Sequence, residues 1–204
     1  MVKPGVHPTK QSLIDAVDHI LNTKSPFGLT TDEILSAAMI SKGSLYHHFA
    51  DLPELIETAL IFRFSRYVNE TIESLARILE SSASREEALA KFVEAANKRV
   101  MEDSRAIRIE RVHSLSMAFN DERFYKSLAI EQDRLTDEWE TLYLRAKELG
   151  WAKPDLDSRS LGVFMQAHVI GQIVNDMSAK PMNQQEWTKL ITYLFSVTFF
   201  GAEN

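Results

Sequence analysis

The stretch from Thr30 to Phe49 constrains the fold more than any other part of this chain. Its sequence, TTDEILSAAMISKGSLYHHF, combines two short amphipathic segments separated by a tight turn. Thr30 and Glu33 have the spacing of a capping box, and Ser41 is placed to cap the second segment. Small, hydroxylated and imidazole side chains follow Ser41. The pattern predicts a helix-turn-helix whose second helix contacts double-stranded DNA.

Helical periodicity and capping residues predict an all-α chain of about nine helices, three short ones followed by six longer ones. Pro8 and Thr9 open the first helix, and Asp51 begins a long one that continues to about Glu80. The remaining helices are predicted over residues 84–101, 105–119, 120–149, 157–177 and 183–200. We expect an N-terminal domain over residues 1–51 and a C-terminal domain over residues 52–204.

The composition excludes several classes of protein. The chain has 204 residues and no cysteine, which rules out disulfides, cysteine nucleophiles and cysteine-ligated zinc. No apolar run approaches the ~20 residues that span a bilayer, and the N-terminus lacks the apolar core of a signal peptide. We therefore expect a soluble cytoplasmic protein with no membrane partner. No catalytic motif or paired carboxylates are recognisable, so no enzymatic activity and no cofactor are predicted.

The net charge of −6 by itself disfavours nucleic acid as a partner, but the charges are unevenly distributed along the chain. Up to Ala50, four acidic residues are balanced by four lysines, and four histidines lie in the same stretch. The acidic excess therefore lies beyond residue 50. A neutral N-terminal segment followed by an acidic region can bind DNA, but with little non-specific affinity.

The sequence SKGSLYHHF, preceded by TTDEILSAA and followed by DLPEL, resembles the DNA-binding domain of the TetR family of bacterial transcriptional regulators. The likeness covers roughly Thr9–Leu60. The resemblance implies a homodimer of Ω-shaped, all-α protomers. Each would carry an N-terminal three-helix DNA-binding domain and a C-terminal helical domain for dimerisation and ligand binding. It also implies a repressor of a pseudo-palindromic operator, modulated by a small-molecule effector.

The resemblance further implies which positions contact DNA. Thr9 and Thr31, at the starts of the first two helices, would contact phosphate, and small side chains would let the recognition helix approach the groove closely. The positions on that helix are Lys42, Gly43, Ser44, Tyr46, His47 and His48.

Two positions depart from the family pattern. Met39 replaces the usual glycine of the turn, and Leu52 replaces a lysine that grips phosphate. We expect weaker DNA affinity than is typical of the family. The departures also leave an alternative open, a helical small-molecule-binding or adaptor protein whose DNA-binding head has decayed.

Two other charged or metal-binding patterns have plainer explanations. The adjacent His47 and His48 point about 100° apart on a helix, which suits chelation of one metal ion poorly, so no metal site is predicted. A basic run along the middle of the chain favours a solvated or ion-paired helix surface. There are two alternatives: a second nucleic-acid-binding patch, and an arginine that binds a ligand carboxylate. The run comprises Lys98, Arg99, Arg105, Arg108 and Arg111.

The last two long helices predict the dimer interface. Val163, Ala167 and Gly171 are four residues apart and form a ridge of mostly small side chains. The final helix carries an apolar stripe too wide for one partner, so a two-fold four-helix bundle is expected. Its predicted contributors are Trp187, Ile191, Leu194, Phe195 and Thr198.

Aromatic, methionine and polar side chains on the middle helices predict a pocket for a small, mostly apolar molecule. Each of them is also compatible with an ordinary core position, and His168 in its apolar surroundings is more typical of a core histidine than of a ligand contact. The candidates are Phe92, His113, Met117, Trp139, Phe164, Met165, His168 and Gln172.

Overall fold

The structure, a computed structural model, describes residues 7–100, 105–152 and 155–201. These residues form helices and no β-strand, which confirms the all-α fold class. Nine of the described helices have seven or more residues, in agreement with the predicted number, and one is a single turn. The helices are α1 (Pro8–Ile20), α2 (Thr31–Ala38), α3 (Lys42–His48), α4 (Leu52–Glu80), α5 (Arg85–Val100), α6 (Arg105–Ala118), α7 (Glu122–Glu148), α8 (Ser158–Gly171), α9 (Ile173–Asp176) and α10 (Gln184–Thr198).

Side-chain caps fix the starts of most helices where the sequence places them. The Asp51 carboxylate accepts the Glu54 amide at 2.7 Å, and Glu54 in turn accepts the Ala50 amide at 2.6 Å. The Thr30 hydroxyl accepts the Glu33 amide at 3.4 Å. A capping box also predicts that the Thr30 amide donates to the Glu33 carboxylate. This prediction is wrong, and the Glu33 carboxylate lies 2.7 Å from the Lys24 ammonium instead. Such caps satisfy amides that have no partner inside the helix.

The predicted helix over residues 157–177 is interrupted. It ends at Gly171, Gln172 has ψ −18°, and the single turn α9 follows. Glycine is a weak helix former and so lowers the cost of the break. Beyond the break, Asp176 binds Arg108 of α6 through two bonds of 2.7 Å each.

The chain folds into two compact units. The first comprises Met1–Tyr67 and His113–Leu128, and the second comprises Val68–Val112 and Ala129–Asn204. These units are defined by packing, and the functional division at residue 51 stays a prediction.

In the first unit, α1 packs against both α2 and α3. Leu13, Val17, Ile34 and Leu45 are completely buried, and Phe49 is 2% exposed. Full burial of one such side chain contributes about 1.5–3 kcal/mol. This small core fixes α3 to α1, which also packs against α2.

In the second unit, α10 packs on α5 around a cluster of aromatic rings. The ring of Phe92 lies 5.0 Å from that of Phe199 and 5.3 Å from that of Phe200. Gly162 of α8 permits a close approach to α7, since a Cβ atom there would lie 3.0 Å from the Cβ of Trp139.

The Arg108–Asp176 pair also belongs to the second unit. The two side chains are only 3% and 9% exposed. Hydrogen bonds from Arg108 and its charge lower the pKa of the Asp176 carboxyl despite its burial. For Arg108, the structure thus supports the ion-paired interpretation of the basic run, and the pair fixes α6 to α9.

None of the described helices combines the length and the apolar character needed to cross a membrane.

The turn between α2 and α3 generates a prediction about stability. Met39 has φ 55° and ψ 41°, a left-handed conformation that side chains other than glycine disfavour, and it is 92% exposed. Because no packing is lost, Met39→Gly should raise the free energy of unfolding by roughly 0.5–1 kcal/mol in chemical denaturation. The control is Ala37→Gly, at an exposed position inside α2, which should lower it by about 1 kcal/mol. An unchanged or lowered stability of Met39→Gly would contradict the strain argument.

Candidate nucleic-acid interface

Helix α3, the predicted recognition helix, is attached to the core on one side and exposed on the other. Leu45 and Phe49 point into the core of the first unit, and the Ser41 hydroxyl caps the helix by accepting the Ser44 amide at 3.3 Å. The hydroxyls of Ser41 and Ser44 also lie within hydrogen-bond distance, at 3.0 Å. Helix α3 is therefore fixed without using its outer face.

The outer face of α3 is not explained by packing within the chain. Tyr46 is 48% exposed although it is a large aromatic residue, and Lys42 and His47 are exposed beside it. Gly43 is in open space, since a Cβ atom there would come no closer than 4.0 Å to any neighbour. The fold therefore does not require glycine at this position. A surface that approaches from outside would require it.

The two threonines predicted to contact phosphate lie at helix starts. Thr31 is the first residue of α2 and is half-buried. Thr9 lies in the first turn of α1, and its amide donates to Nδ1 of His7 at 3.2 Å. The partial positive charge of a helix N-terminus suits phosphate at both positions.

Three histidines meet beside the outer face of α3. The rings of His48 and His7 are 4.7 Å apart, and those of His48 and His47 are 5.0 Å apart. Partial burial lowers the pKa of His48, and the neighbouring His7, His47 and Lys10 lower it further. Sequence reasoning missed His7; the signal for it was its place directly before Pro8, where a helix cap is expected.

An ionic brace ties the end of α1 to α4. The Asp18 carboxylate accepts hydrogen bonds from Arg63 and from Arg66, the latter at 3.0 Å. Arg63 also donates to the Asp18 carbonyl at 2.9 Å and to the Asn22 side chain at 3.1 Å. Burial raises the pKa of Asp18, but the bonds and charges of the two arginines outweigh it, so this pKa lies below its ordinary value.

A second ionic contact joins α4 to the start of α7 within the first unit. Arg123 donates to Glu57 at 2.8 Å and lies beside a cavity of about 230 Å³ lined by α4 and α7. Burial raises the pKa of Glu57 and outweighs the effect of the Arg123 bond and charge.

Helices α2, α3 and α4 and the turn between α2 and α3 form despite the two departures from the family pattern. Met39 adopts the left-handed conformation that the turn needs. Leu52 is half-buried at the first residue of α4 and supplies no charge. The turn is therefore kept at a cost in strain, and one possible cationic contact is missing.

The residues predicted to bind a ligand are dispersed. Phe92, Trp139 and Met165 are at most 5% exposed in the core of the second unit, whereas Phe164 is 44% exposed. His113 and Met117 belong to the first unit, where the His113 ring lies 5.4 Å from that of Phe27. Neither the cavity beside Arg123 nor a larger one of about 510 Å³ in the second unit, next to Trp151, is lined by a predicted ligand residue. The predicted pocket stays a prediction.

His168 and Gln172 lie at the end of α8. The His168 ring stacks on Trp187 of α10 at 5.2 Å, and the Gln172 side chain donates to the His168 carbonyl at 3.5 Å. Burial lowers the pKa of His168. Nε2 of His168 and Nε1 of Trp187 are buried without a hydrogen-bond partner among the described residues.

The predicted dimer residues separate into a buried and an exposed set. Ile191 and Phe195 are 1% and 2% exposed and belong to the core of their own chain, while Trp187, Leu194 and Thr198 are half-buried. Val163, Ala167 and Gly171 of α8 are exposed. Of the five residues predicted on α10, only Trp187, Leu194 and Thr198 are thus accessible to a partner, and the interface stays a prediction.

Among the described residues, no group of three or more histidine, aspartate or glutamate side chains has the arrangement of a metal site.

Comparisons of sequence find no relative. No protein-family model matches the chain, and no curated protein matches it significantly.

Comparison of structure identifies the fold. Salmonella enterica GusR superposes with a TM-score of 0.72 at 18% identity, and the match covers 98% of each chain. A Rhodococcus protein assigned to the TetR family gives 0.66 at 19% identity, over 94% of this chain and 98% of that one. A Saccharomonospora viridis protein described as a transcriptional regulator, solved in complex with choline, gives 0.68 at 13% identity, over 92% and 95%. The chain has the all-α fold of the TetR-family transcriptional regulators.

The brace at Asp18 generates a second prediction. Asp18→Asn removes the charge that Arg63 and Arg66 share and should lower the free energy of unfolding by about 1–3 kcal/mol at pH 7. Because the folded-state pKa is lowered, the carboxylate stabilises the fold above its unfolded pKa of about 4. This contribution is lost as the pH falls through the folded-state value.

The difference between wild type and Asp18→Asn in denaturant titrations should therefore shrink below about pH 4. The control is Asp15→Asn, an exposed carboxylate on the same helix, which should change stability by at most about 0.5 kcal/mol. Equal free energies of unfolding for Asp18→Asn and Asp15→Asn would show that the bonds of Asp18 with the two arginines do not stabilise the fold.

Proposed function

We propose that the chain is a DNA-binding transcriptional regulator of the TetR family, a homodimeric repressor controlled by a small-molecule effector. The observation that carries the proposal is the outer face of α3. It is exposed, bears an aromatic ring, an ammonium and imidazoles, and has a glycine that internal packing does not require. The fold shared with TetR-family regulators supports the same function.

The proposed chemistry follows from the side chains of α3. Lys42 bonds O6 and N7 of guanine or neutralises a phosphate, and Tyr46 donates its hydroxyl to a phosphate or contacts a thymine methyl group. Gly43 lets the helix backbone approach the groove floor. Thr9 and Thr31 bind phosphates at the groove edges and so set the register of the helix on the duplex.

Dimerisation is proposed through the exposed apolar residues of α8, α9 and α10. Helices α8 and α10 are neighbours, because the His168 ring stacks on Trp187. Together with the turn α9 they expose large apolar side chains that a monomer would leave in water: Val163 53%, Phe164 44%, Val174 76%, Leu190 48% and Tyr193 64%. Several large apolar side chains exposed on neighbouring helices favour an interface at this surface. Two recognition helices, one from each protomer, would read half-sites one turn of DNA apart, about 34–36 Å.

Control by an effector is proposed for the second unit. Its core holds many aromatic side chains, and the S. viridis protein of the same fold binds choline. Helix α4 belongs to the first unit up to Tyr67 and to the second from Val68, so it connects the two covalently. An effector that prefers the non-binding form 10⁴-fold, about 5.5 kcal/mol, would shift the population from almost all competent to almost none.

The direct test is selection of bound duplexes from a random-sequence DNA library by the purified protein. Recovery of a pseudo-palindromic sequence is expected. Failure to recover any duplex at low ionic strength would overturn the proposal.

The outer face of α3 generates a third prediction, measured by fluorescence anisotropy on the selected duplex. Lys42→Ala removes a cation from the proposed interface and should weaken binding and reduce the slope of log K against log salt by about one unit. Tyr46→Phe removes one hydroxyl and should weaken binding about 2- to 10-fold with no change in slope.

Lys126→Ala is the matched control for this series. Lys126 is an exposed lysine of the first unit on α7, where it pairs with Glu122, and it lies away from α3 in the chain. Its loss should leave affinity and slope unchanged. Equal effects of Lys42→Ala and Lys126→Ala would place the DNA interface elsewhere.

The exposed apolar residues generate a fourth prediction, tested by analytical ultracentrifugation. Leu190→Glu introduces a charge into the proposed interface and should convert the dimer to a monomer at micromolar concentration. Leu144→Glu is the matched control, since Leu144 is 46% exposed on α7 and outside the proposed interface. A stable Leu190→Glu dimer would refute this interface.

A further inference from the structure

The imidazoles of His7, His47 and His48 form one cluster beside the outer face of α3. His48 occupies the centre, with ring centroids 4.7 Å from His7 and 5.0 Å from His47. The chain brings them together by packing the start of α1 against the end of α3. His7 and His47 are exposed and His48 is half-buried, so all three are open to a partner at the proposed DNA interface.

The neighbours that lower the pKa of His48, at the centre of this cluster, are all basic side chains. His7 and Lys10 come from the start of α1, and His47 comes from α3 itself. The acidic groups at the neighbouring start of α4 are already engaged, because Asp51 accepts the Glu54 amide and Glu54 accepts the Ala50 amide. On α1, Asp15 accepts the Gln11 side chain at 2.7 Å, and Asp18 is held by the arginines of the brace. Partial burial and these basic neighbours thus lower the pKa of the His48 imidazole in the free protein.

We propose that His7, His47 and His48 form a single phosphate-binding site, and that DNA binding there is coupled to proton uptake by His47 and His48. This inference rests on the proposed function. A phosphate placed against the cluster supplies the negative charge that the free protein lacks and so favours the imidazolium form. By linkage, DNA binding becomes tighter as the pH falls from about 8 to about 6.

His7 has a different role in the site. Its Nδ1 accepts the Thr9 amide, which fixes the neutral tautomer with the proton on Nε2. Nε2–H can therefore donate to a phosphate without any change of charge. Protonation of Nδ1 would break the cap of α1 and place a positive charge at a helix N-terminus, which is unfavourable. In the proposal, His7 contributes to affinity through this bond, and the pH dependence is assigned to His47 and His48.

The experiment measures affinity for the selected duplex between pH 6.0 and 8.0 at constant ionic strength. Wild type should bind about 5- to 20-fold more tightly at pH 6.0 than at pH 7.5, as expected for uptake of nearly one proton. His47→Gln/His48→Gln should flatten this dependence. His7→Asn keeps a capping side chain and should weaken binding about 2- to 10-fold at every pH while preserving the dependence.

The control is His19→Gln, which removes an exposed histidine in the last turn of α1 and should preserve both affinity and pH dependence. Circular dichroism at pH 6.0 and 8.0 verifies that each variant is folded. Calorimetry of the wild type in buffers of different ionisation enthalpy counts the protons directly, so the test does not depend on the variants. Uptake of 0.5–1 proton per cluster is expected.

The outcomes separate this inference from the proposed function. Tight binding of the selected duplex with no pH dependence and no proton uptake would overturn the inference but not the proposed function. Persistence of the full pH dependence in the double variant would also overturn it. Recovery of no duplex at either pH 6.0 or pH 7.5 would overturn both.

Discussion

A helix of seven residues is not stable by itself in water, because nucleation costs more than so few hydrogen bonds return. Everything proposed for α3 therefore depends on the burial of Leu45 and Phe49 in the core that α3 shares with α1. The Ser41 cap and the left-handed residue Met39 determine where the helix starts and at what angle it leaves α2. Since one side of α3 is used completely for attachment, the other side is free to be polar and exposed.

The same division explains what the sequence could predict. Caps act over three or four residues, so the starts of the helices at Thr31, Lys42, Leu52 and Arg85 follow from Ser, Thr and Asp at fixed spacing. The return bond from Glu33 was wrong because its competitor, Lys24, lies nine residues away in a loop. The break after Gly171 was missed for a related reason, since its surroundings include an ion pair between residues 68 positions apart.

Residues beyond α3 were harder to assign because an apolar side chain does not reveal its partner. Ile191 and Leu194 have the same character and lie on one stripe, yet Ile191 is buried in its own chain while Leu194 is half-buried. His113 and His168 both suggested a pocket, but one lies against Phe27 and the other stacks on Trp187. Aromatic and methionine content indicated that the second unit has a dense core; it could not indicate which of those side chains leave room for a ligand.

Charge distribution links the fold to the way the proposed interface would work. A chain of net charge −6 repels a polyanion at long range, so non-specific attraction is weak and contacts in the head must supply the affinity. Four acids of the first unit are engaged within it: Asp18 by the two arginines of α4, and Glu33, Asp51 and Glu54 by a lysine or by amides at helix starts. The cations and imidazoles of the outer face therefore meet little competition from inside the chain. Because Leu52 contributes no charge at the start of α4, a larger share of the phosphate contact in the proposed interface would fall on Lys42 and on the histidines.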